Sequence, residues 1–288
     1  MPKAAAPAGV TVTPIGAVIG AEVQGIDLSG DLERGARAWI HDAVIEHGVL
    51  VFRGQALDAP RFHDFAGGFG PLQHHVLRKY RHKDFPGLSW LTNVEADGSV
   101  DRFGVTRATS WHTDGTYTDD PPAIGILHAL EVPSKGAGTL FVSMKAAYAA
   151  LTDGERTRIA PLVGLHRHGG GPGGGMYDNS LDDDQAEGHS DVRHPAVRPH
   201  PASGEPVLYV NPTHVRCFEG MKPGDSAPLV LELVDKATRR DVVYHHNWRP
   251  GDLLMWDEHG TMHRGEGAYD PAERRIMLRA IVQRCTHA

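Results

Sequence analysis

Apolar residues along this chain fall in short runs divided by glycine and proline, and most runs are too short for a helix and better suited to strands. Residues 10–28 alternate β-branched and small residues between glycines, which predicts two short strands. Asp31-Leu32 opens a helical spacing through Ala36, Trp39, Ile40 and Ala43-Val44-Ile45, and His47-Gly48 ends it ahead of a short buried strand at residues 49–52. A second helix is expected from Asp58-Ala59-Pro60, with proline in its first turn and Phe62, Phe65 and Phe69 turned inward. Residues 72–109 lack a clear period, apart from a strand-like Leu88-Ser89-Trp90-Leu91. Irregular stretches of that length inside a domain are often binding loops, so this one is expected to wall a substrate site.

Beyond the turn Asp119-Asp120-Pro121-Pro122, residues 123–130 form an apolar run fit for a central strand. Lys135-Gly136-Ala137-Gly138 reads as a hairpin-like turn into a strand at residues 139–142, and residues 145–151 and 153–159 read as helices. The last third returns to strands at 207–210 and 242–248, with a helical segment at 228–234. There the turn Arg249-Pro250-Gly251-Asp252 delivers Leu253-Leu254-Met255-Trp256. Short strands, frequent turns and helices concentrated early predict a mainly β fold with flanking helices, a barrel enclosing a site, in one domain spanning residues 1–288.

Composition narrows the function classes. A chain of 288 residues that is 40% hydrophobic can bury a sizeable core, and a formal charge of −7 gives no basic footprint for nucleic acid. Cys217 and Cys285 are too few for a disulfide framework or a thiolate zinc site. With no secretory leader pattern and no apolar run long enough to span a bilayer, a cytoplasmic enzyme of small molecules is expected. Homo-oligomerisation is left open. The glycine-rich stretch within residues 166–190 reads equally as a lid or as a linker. A phosphate loop is excluded because no Gly-Lys-Ser/Thr follows. Leu181-Asp182-Asp183-Asp184 and Glu187 read as solvated surface, lacking the spacing of a calcium loop.

Candidate chemistry begins at Trp111-His112-Thr113-Asp114, where an imidazole and a carboxylate stand two apart and would share one face of an extended chain. Among 19 histidines such a pair is also expected by chance, as a hydrogen-bonded pair at a strand end. A third ligand is available near the other end of the chain in His263, within Trp256-Asp257-Glu258-His259-Gly260-Thr261-Met262-His263, after a short apolar run. Two histidines and one carboxylate make the facial triad of non-haem Fe(II) oxygenases. Arg275 and Arg279, four apart in a strand-like Arg275-Ile276-Met277-Leu278-Arg279, would share a face, and guanidinium is the preferred partner for a carboxylate held away from water. A triad beside a buried arginine is what binding of 2-oxoglutarate to iron would require. Other histidines read differently: His128 as a hydrogen-bonded core residue, His259 as a group outside the ligand set, and one member at most of His74-His75 and of His245-His246 as facing a site. Arg274 should face solvent.

These segments together resemble the taurine dioxygenase and 2,4-dichlorophenoxyacetate dioxygenase family of Fe(II)/2-oxoglutarate-dependent oxygenases. The resemblance runs through residues 14–28, His47-Gly48-Val49-Leu50-Val51-Phe52-Arg53, Trp111 to Asp114, Gly138-Thr139-Leu140-Phe141, His194-Pro195, Tyr209-Val210-Asn211 and the stretch from Trp256 to Arg279, in the family's order. It implies a double-stranded β-helix, the jelly roll, and iron held by His112, Asp114 and His263. It further implies Thr139 and Arg275 on the distal carboxylate of 2-oxoglutarate, and His75 and Arg279 on an anionic prime substrate. Arg78 stands where the taurine enzyme has a substrate-contacting tyrosine, which turns the expectation away from taurine itself. The activity implied is hydroxylation of a small anionic metabolite, with O2 consumed and succinate and CO2 released. Related halogenases replace the triad carboxylate with a small residue, so Asp114 favours hydroxylation over halogenation. Desaturation or oxidative C–heteroatom cleavage would use the same residues. From another class, the competing reading is a metal-binding jelly-roll protein without catalysis, for which Thr139 and Arg275 would have no use.

Overall fold

The apolar run that follows the Asp119 to Pro122 turn is the strand around which the larger sheet assembles. In the computed structural model, which describes residues 4–175 and 190–286, the first half of the chain supplies β1 (Thr11–Pro14), β2 (Ala21–Gln24), α1 (Arg34–His47), β3 (Val49–Phe52), α2 (Ala59–Gly67), β4 (Leu88–Thr92), α3 (Arg102–Thr106), β5 (Ile124–Glu131) and β6 (Thr139–Ser143). There follow α4 (Met144–Ala149), α5 (Asp153–Ile159), β7 (Val163–His166), β8 (Val192–Pro195), β9 (Val197–Pro199), β10 (Pro206–Leu208) and β11 (Val215–Phe218). The chain ends with α6 (Pro223–Ala237), β12 (Tyr244–His246), β13 (Leu253–Asp257), β14 (Thr261–Gly265) and β15 (Ile276–Val282). The seven-stranded sheet runs β1-β2-β3-β13-β5-β15-β4, antiparallel apart from the β2–β3 pair. β13 and β15 occupy both edges of β5, which is buried without a break from Ile124 to Ala129.

Side-chain alternation divides this sheet between two cores. In β13, Leu253 and Met255 face the helices, packing with Ile40 and Val44 of α1 and Phe62 and Phe65 of α2. Leu254 and Trp256 point the other way, into a layer shared with Leu127, Met277 and Phe141. Phe141 belongs to a three-stranded sheet ordered β12-β6-β14, whose far face, through Val142 and Met262, packs against α4, α6 and β11. Of the metal-ligand candidates, His263 stands on β14, and His112 is tied to that strand by an isolated bridge.

Local physics explains where the elements stop and where the expectations shift. Gly48 ends α1 as expected: its φ of 70° is the left-handed region, its N–H reaches Val44 O at 2.8 Å, and a Cβ there would lie 2.8 Å from the Ile19 side chain. The helix starts at Arg34 rather than at Asp31, with Glu33 extended as its N-cap. α2 begins where the sequence places it, with the Asp58 carboxylate accepting from Arg61 N at 2.9 Å. Residues 135–138 do not close a hairpin. β5 has no edge left for β6, so the segment crosses to the other sheet, held by Glu266 N–H on Gly138 O and Ala268 N–H on Gly136 O. Residues 72–109 are partly regular, because β4 adds to the edge of the larger sheet beside β15.

Among the described residues, no helix is long and apolar enough to cross a membrane. Of the glycine-rich stretch, residues 176–189, which include Leu181 to Asp184 and Glu187, lie outside the described residues. The part before them packs closely. Gly171 N–H bonds Thr213 O at 2.9 Å, and a Cβ on Gly171 would meet Pro212 O at 2.3 Å.

Phe141 is fully buried between the sheets. Phe141→Ala should lower unfolding free energy by about 3–5 kcal/mol, the usual range for a large aromatic removed from a core that cannot collapse around the gap. Urea denaturation checks this, and a loss below about 1 kcal/mol would show that the layer is loosely packed.

Candidate metal centre and its cavities

Two segments far apart in sequence are joined backbone to backbone at His112 and His263. His112 N–H donates to His263 O at 2.9 Å and His263 N–H to His112 O at 2.8 Å, an isolated antiparallel bridge at the edge of β14. The extended stretch expected around His112 is only this bridge, and Asp114 already lies in a turn. The expected face is kept all the same. Thr113 turns away to donate to Thr261 O, while His112 Nε2 and Asp114 Oδ1 stand 3.8 Å apart. One ligand atom each from His112, Asp114 and His263 falls within 4.8 Å of the others, close enough to share one ion.

The surroundings suit a cation in that place. His112 Nδ1 lies 2.8 Å from Ser110 O, so it carries the ring proton and leaves Nε2 a bare lone pair, the arrangement that orients metal-bound imidazoles. His263 Nδ1 and Asp114 Oδ2 are buried without a hydrogen-bond partner among the described residues, although Arg279 Nη1 comes to 3.3 Å from Asp114 Oδ2. Burial alone would push the Asp114 carboxyl up, yet Arg279 and the facing histidines hold it well below the usual carboxylate range. Burial pushes His263 down to about 3, so at neutral pH its imidazole is uncharged and free to ligate.

Sequence reasoning missed the buttress behind Asp114. Glu258, 1% exposed, accepts Asp114 N–H at 3.1 Å and Trp256 Nε1–H at 2.6 Å. Gly125 makes room for that pair, since a Cβ there would sit 2.2 Å from the Trp256 ring. Burial raises the Glu258 carboxyl well above its ordinary range.

Two cavities meet at the triad. A smaller one of about 60 Å³ is lined by Thr139, His263, Arg275 and Arg279, and a larger one of about 280 Å³ by His75, His112, Asp114 and Arg279. The structure therefore brings Thr139 and Arg275 together in one cavity and His75 into the other. Arg275 is buried, and no carboxylate among the described residues pairs with its guanidinium. Thr139 Oγ1 accepts from Trp248 Nε1 at 2.9 Å, which leaves its own proton to donate. His75 Nδ1 faces the Leu77 backbone, 3.0 Å from its N–H and 3.2 Å from its carbonyl oxygen, which fixes the ring against that residue.

Arg78 does not join either lining; it is exposed on a single 3-10 turn, Arg78–Tyr80. Arg107, Tyr117, His168 and His214 line the larger cavity without having been singled out in the sequence. Both His74 and His75 line the larger cavity, where one member at most was expected, because the chain forms no strand there and the alternation of an extended segment does not apply; the other histidines singled out in the sequence stand apart from the triad. His128 is buried on Gln55 O, His246 is buried on Asp252 while His245 is exposed, and His259 bonds Arg198 away from the triad. Arg274 is exposed and pairs with Glu131.

Mn(II) titration followed by electron paramagnetic resonance tests the centre. The wild type should take one ion per chain, and Asp114→Ala should bind it at least about a hundredfold more weakly, beyond the 10–100-fold typical of losing an outer partner. Its melting temperature should stay close to wild type. Wild-type affinity in Asp114→Ala would mean that another carboxylate serves.

Comparison with known proteins places the chain in a family. Residues 11–281 match the model of the taurine catabolism dioxygenase TauD, TfdA family. The chain is 30% identical to pentalenolactone F synthase of Streptomyces arenae, over 94% of either chain. It is 32% identical to the α-ketoglutarate-dependent 2,4-dichlorophenoxyacetate dioxygenase of Cupriavidus pinatubonensis, over 94% of this chain and 96% of that one. The crystal structure of AAD-2 in complex with Mn(II) and N-oxalylglycine superposes with a TM-score of 0.84 at 28% identity, covering 96% of this chain and 97% of the other. The chain belongs to the TauD, TfdA family and is a dioxygenase of that class.

Proposed function

We propose that the chain hydroxylates a small anionic metabolite, using Fe(II) held by His112, Asp114 and His263 and consuming 2-oxoglutarate and O2 to give succinate and CO2. The observation that carries this reading is the smaller cavity, in which a buried, carboxylate-free Arg275 and the spare proton of Thr139 share one chamber with the triad residue His263. Bound there, iron with its keto acid supplies the oxidation of a C–H bond, chemistry that no side chain provides. The chain's own part is to bind, orient and exclude water. Arg275 and Thr139 offer a guanidinium and a hydroxyl donor to a distal carboxylate. Leu127, Phe141 and Trp256 give the same chamber an apolar side. Arg279, which lines both cavities, sets the charge around Asp114.

The two facing sheets fit a double-stranded β-helix, and we take that as the architecture. 2,4-Dichlorophenoxyacetate, named in one relative, is an anion, and N-oxalylglycine is a dicarboxylate isosteric with 2-oxoglutarate. Both support an anionic prime substrate beside a keto diacid. Cys217 and Cys285 are unpaired, as suits a reducing cytoplasm. A structural metal site would have no use for the Arg275 chamber, which disfavours the non-catalytic alternative.

Succinate release with Fe(II), ascorbate and O2 tests the proposal. Arg275→Ala should raise the 2-oxoglutarate concentration needed for half-maximal turnover by at least a hundredfold, since losing one partner of a buried ion pair costs about 3–5 kcal/mol. An unchanged requirement would place the keto acid elsewhere, and absence of any 2-oxoglutarate binding by the wild type would favour a structural metal site.

A further inference from the structure

Arg107 follows α3, is 8% exposed, and lines both cavities beside His112 and Arg279. Its plane stacks on the Tyr80 ring at 3.9 Å and Nη2 donates to Trp90 O at 2.8 Å. Nε and Nη1 have no hydrogen-bond partner among the described residues. The nearby carboxylate of Asp101 is engaged by Tyr80 Oη–H at 2.5 Å and by Lys79 at 3.6 Å. The next residue, Ala108, is held at a φ of 61°, a conformation that costs an L residue energy and that persists where the surroundings fix it. Its carbonyl is pinned by Gly265 N–H at 2.7 Å. Burying a guanidinium with two unpartnered nitrogens, which carry three N–H donors, is unfavourable unless something else accepts from them. The other two arginines are accounted for differently: Arg279 lies against Asp114, and Arg275 lines only the smaller cavity.

We propose that Arg107 is a specificity-determining residue that pairs with the anionic group of the prime substrate, selecting organic anions whose apolar or aromatic body lies against Val76, Leu77, Phe103 and Ile281. This rests on the larger cavity being the prime-substrate site. With Leu91 and Ala108 those four side chains supply its apolar wall, so the chamber suits an amphiphilic anion better than a small, fully hydrated one.

Anaerobic calorimetry on the enzyme loaded with Fe(II) and 2-oxoglutarate tests it. The anionic probes are 2,4-dichlorophenoxyacetate and hexyl sulfate; the neutral counterparts are 2,4-dichlorophenoxyethanol and hexanol. At least one anion should bind ten or more times tighter than its counterpart. Arg107→Gln should remove that preference while changing 2-oxoglutarate affinity less than twofold, and Arg107→Lys should restore part of it. If Arg107→Gln does not fold, Arg107→Lys alone decides, and it must narrow the anion-to-neutral ratio at least threefold. The proposal is overturned if the ratio is unchanged, if anion and neutral probe weaken equally, if 2-oxoglutarate affinity falls in step, or if the wild type binds no anion. Failure of the wild type to bind 2-oxoglutarate would instead remove the functional reading beneath it.

Discussion

Two reciprocal backbone hydrogen bonds between His112 and His263 hold the site together. They fix the separation of two imidazoles far apart along the chain, and they act through the peptide groups, so the side chains stay free for other work. From that bridge the rest follows. Thr113 is turned into the protein, Asp114 is turned towards His112, and Glu258 catches the Asp114 N–H from behind. The larger sheet then brings Arg275 and Arg279 along β15 to the same place.

Charge gives the site its character. Arg107, Arg275 and Arg279 line the cavities around the triad, where the lining carboxylates are Asp114, a triad member, and Glu266. Guanidiniums kept from water, as those of Arg107 and Arg275 are, are costly unless ligands complete their hydrogen bonds. A keto diacid and an anionic substrate would do so. Burial pushes His75 and His214 well below the usual imidazole range, so they contribute donors and acceptors rather than further positive charge. The positive field is thus carried by the arginines, whose protonation does not vary across physiological pH.

Much of this was legible in the chain because strand spacing and ligand chemistry are local signals. His112 and Asp114 stand two apart, and Arg275 and Arg279 four apart, and both pairs do share a face. The hairpin read at residues 135–138 failed for a non-local reason: both edges of β5 were already occupied by strands from the last third of the chain. Arg107 was not legible either, because its burial depends on Tyr80 and Trp90 contacts made across an aperiodic segment. His214 and Glu258 are of the same kind, ordinary polar residues by sequence whose neighbours only folding supplies. Arg78 shows the converse. Its position along the chain suggested the substrate, and the short 3-10 turn places it outside.

The central claim is that His112, Asp114 and His263 hold one ion at the meeting point of two cavities. Anomalous diffraction from crystals soaked with Mn(II) and N-oxalylglycine tests it most directly. A single strong peak at roughly 2.0–2.3 Å from His112 Nε2, an Asp114 carboxylate oxygen and a His263 ring nitrogen is the predicted result, distances ordinary for such ligands. A peak beyond the reach of any of the three, or none at occupancy high enough to show the dicarboxylate, would contradict it.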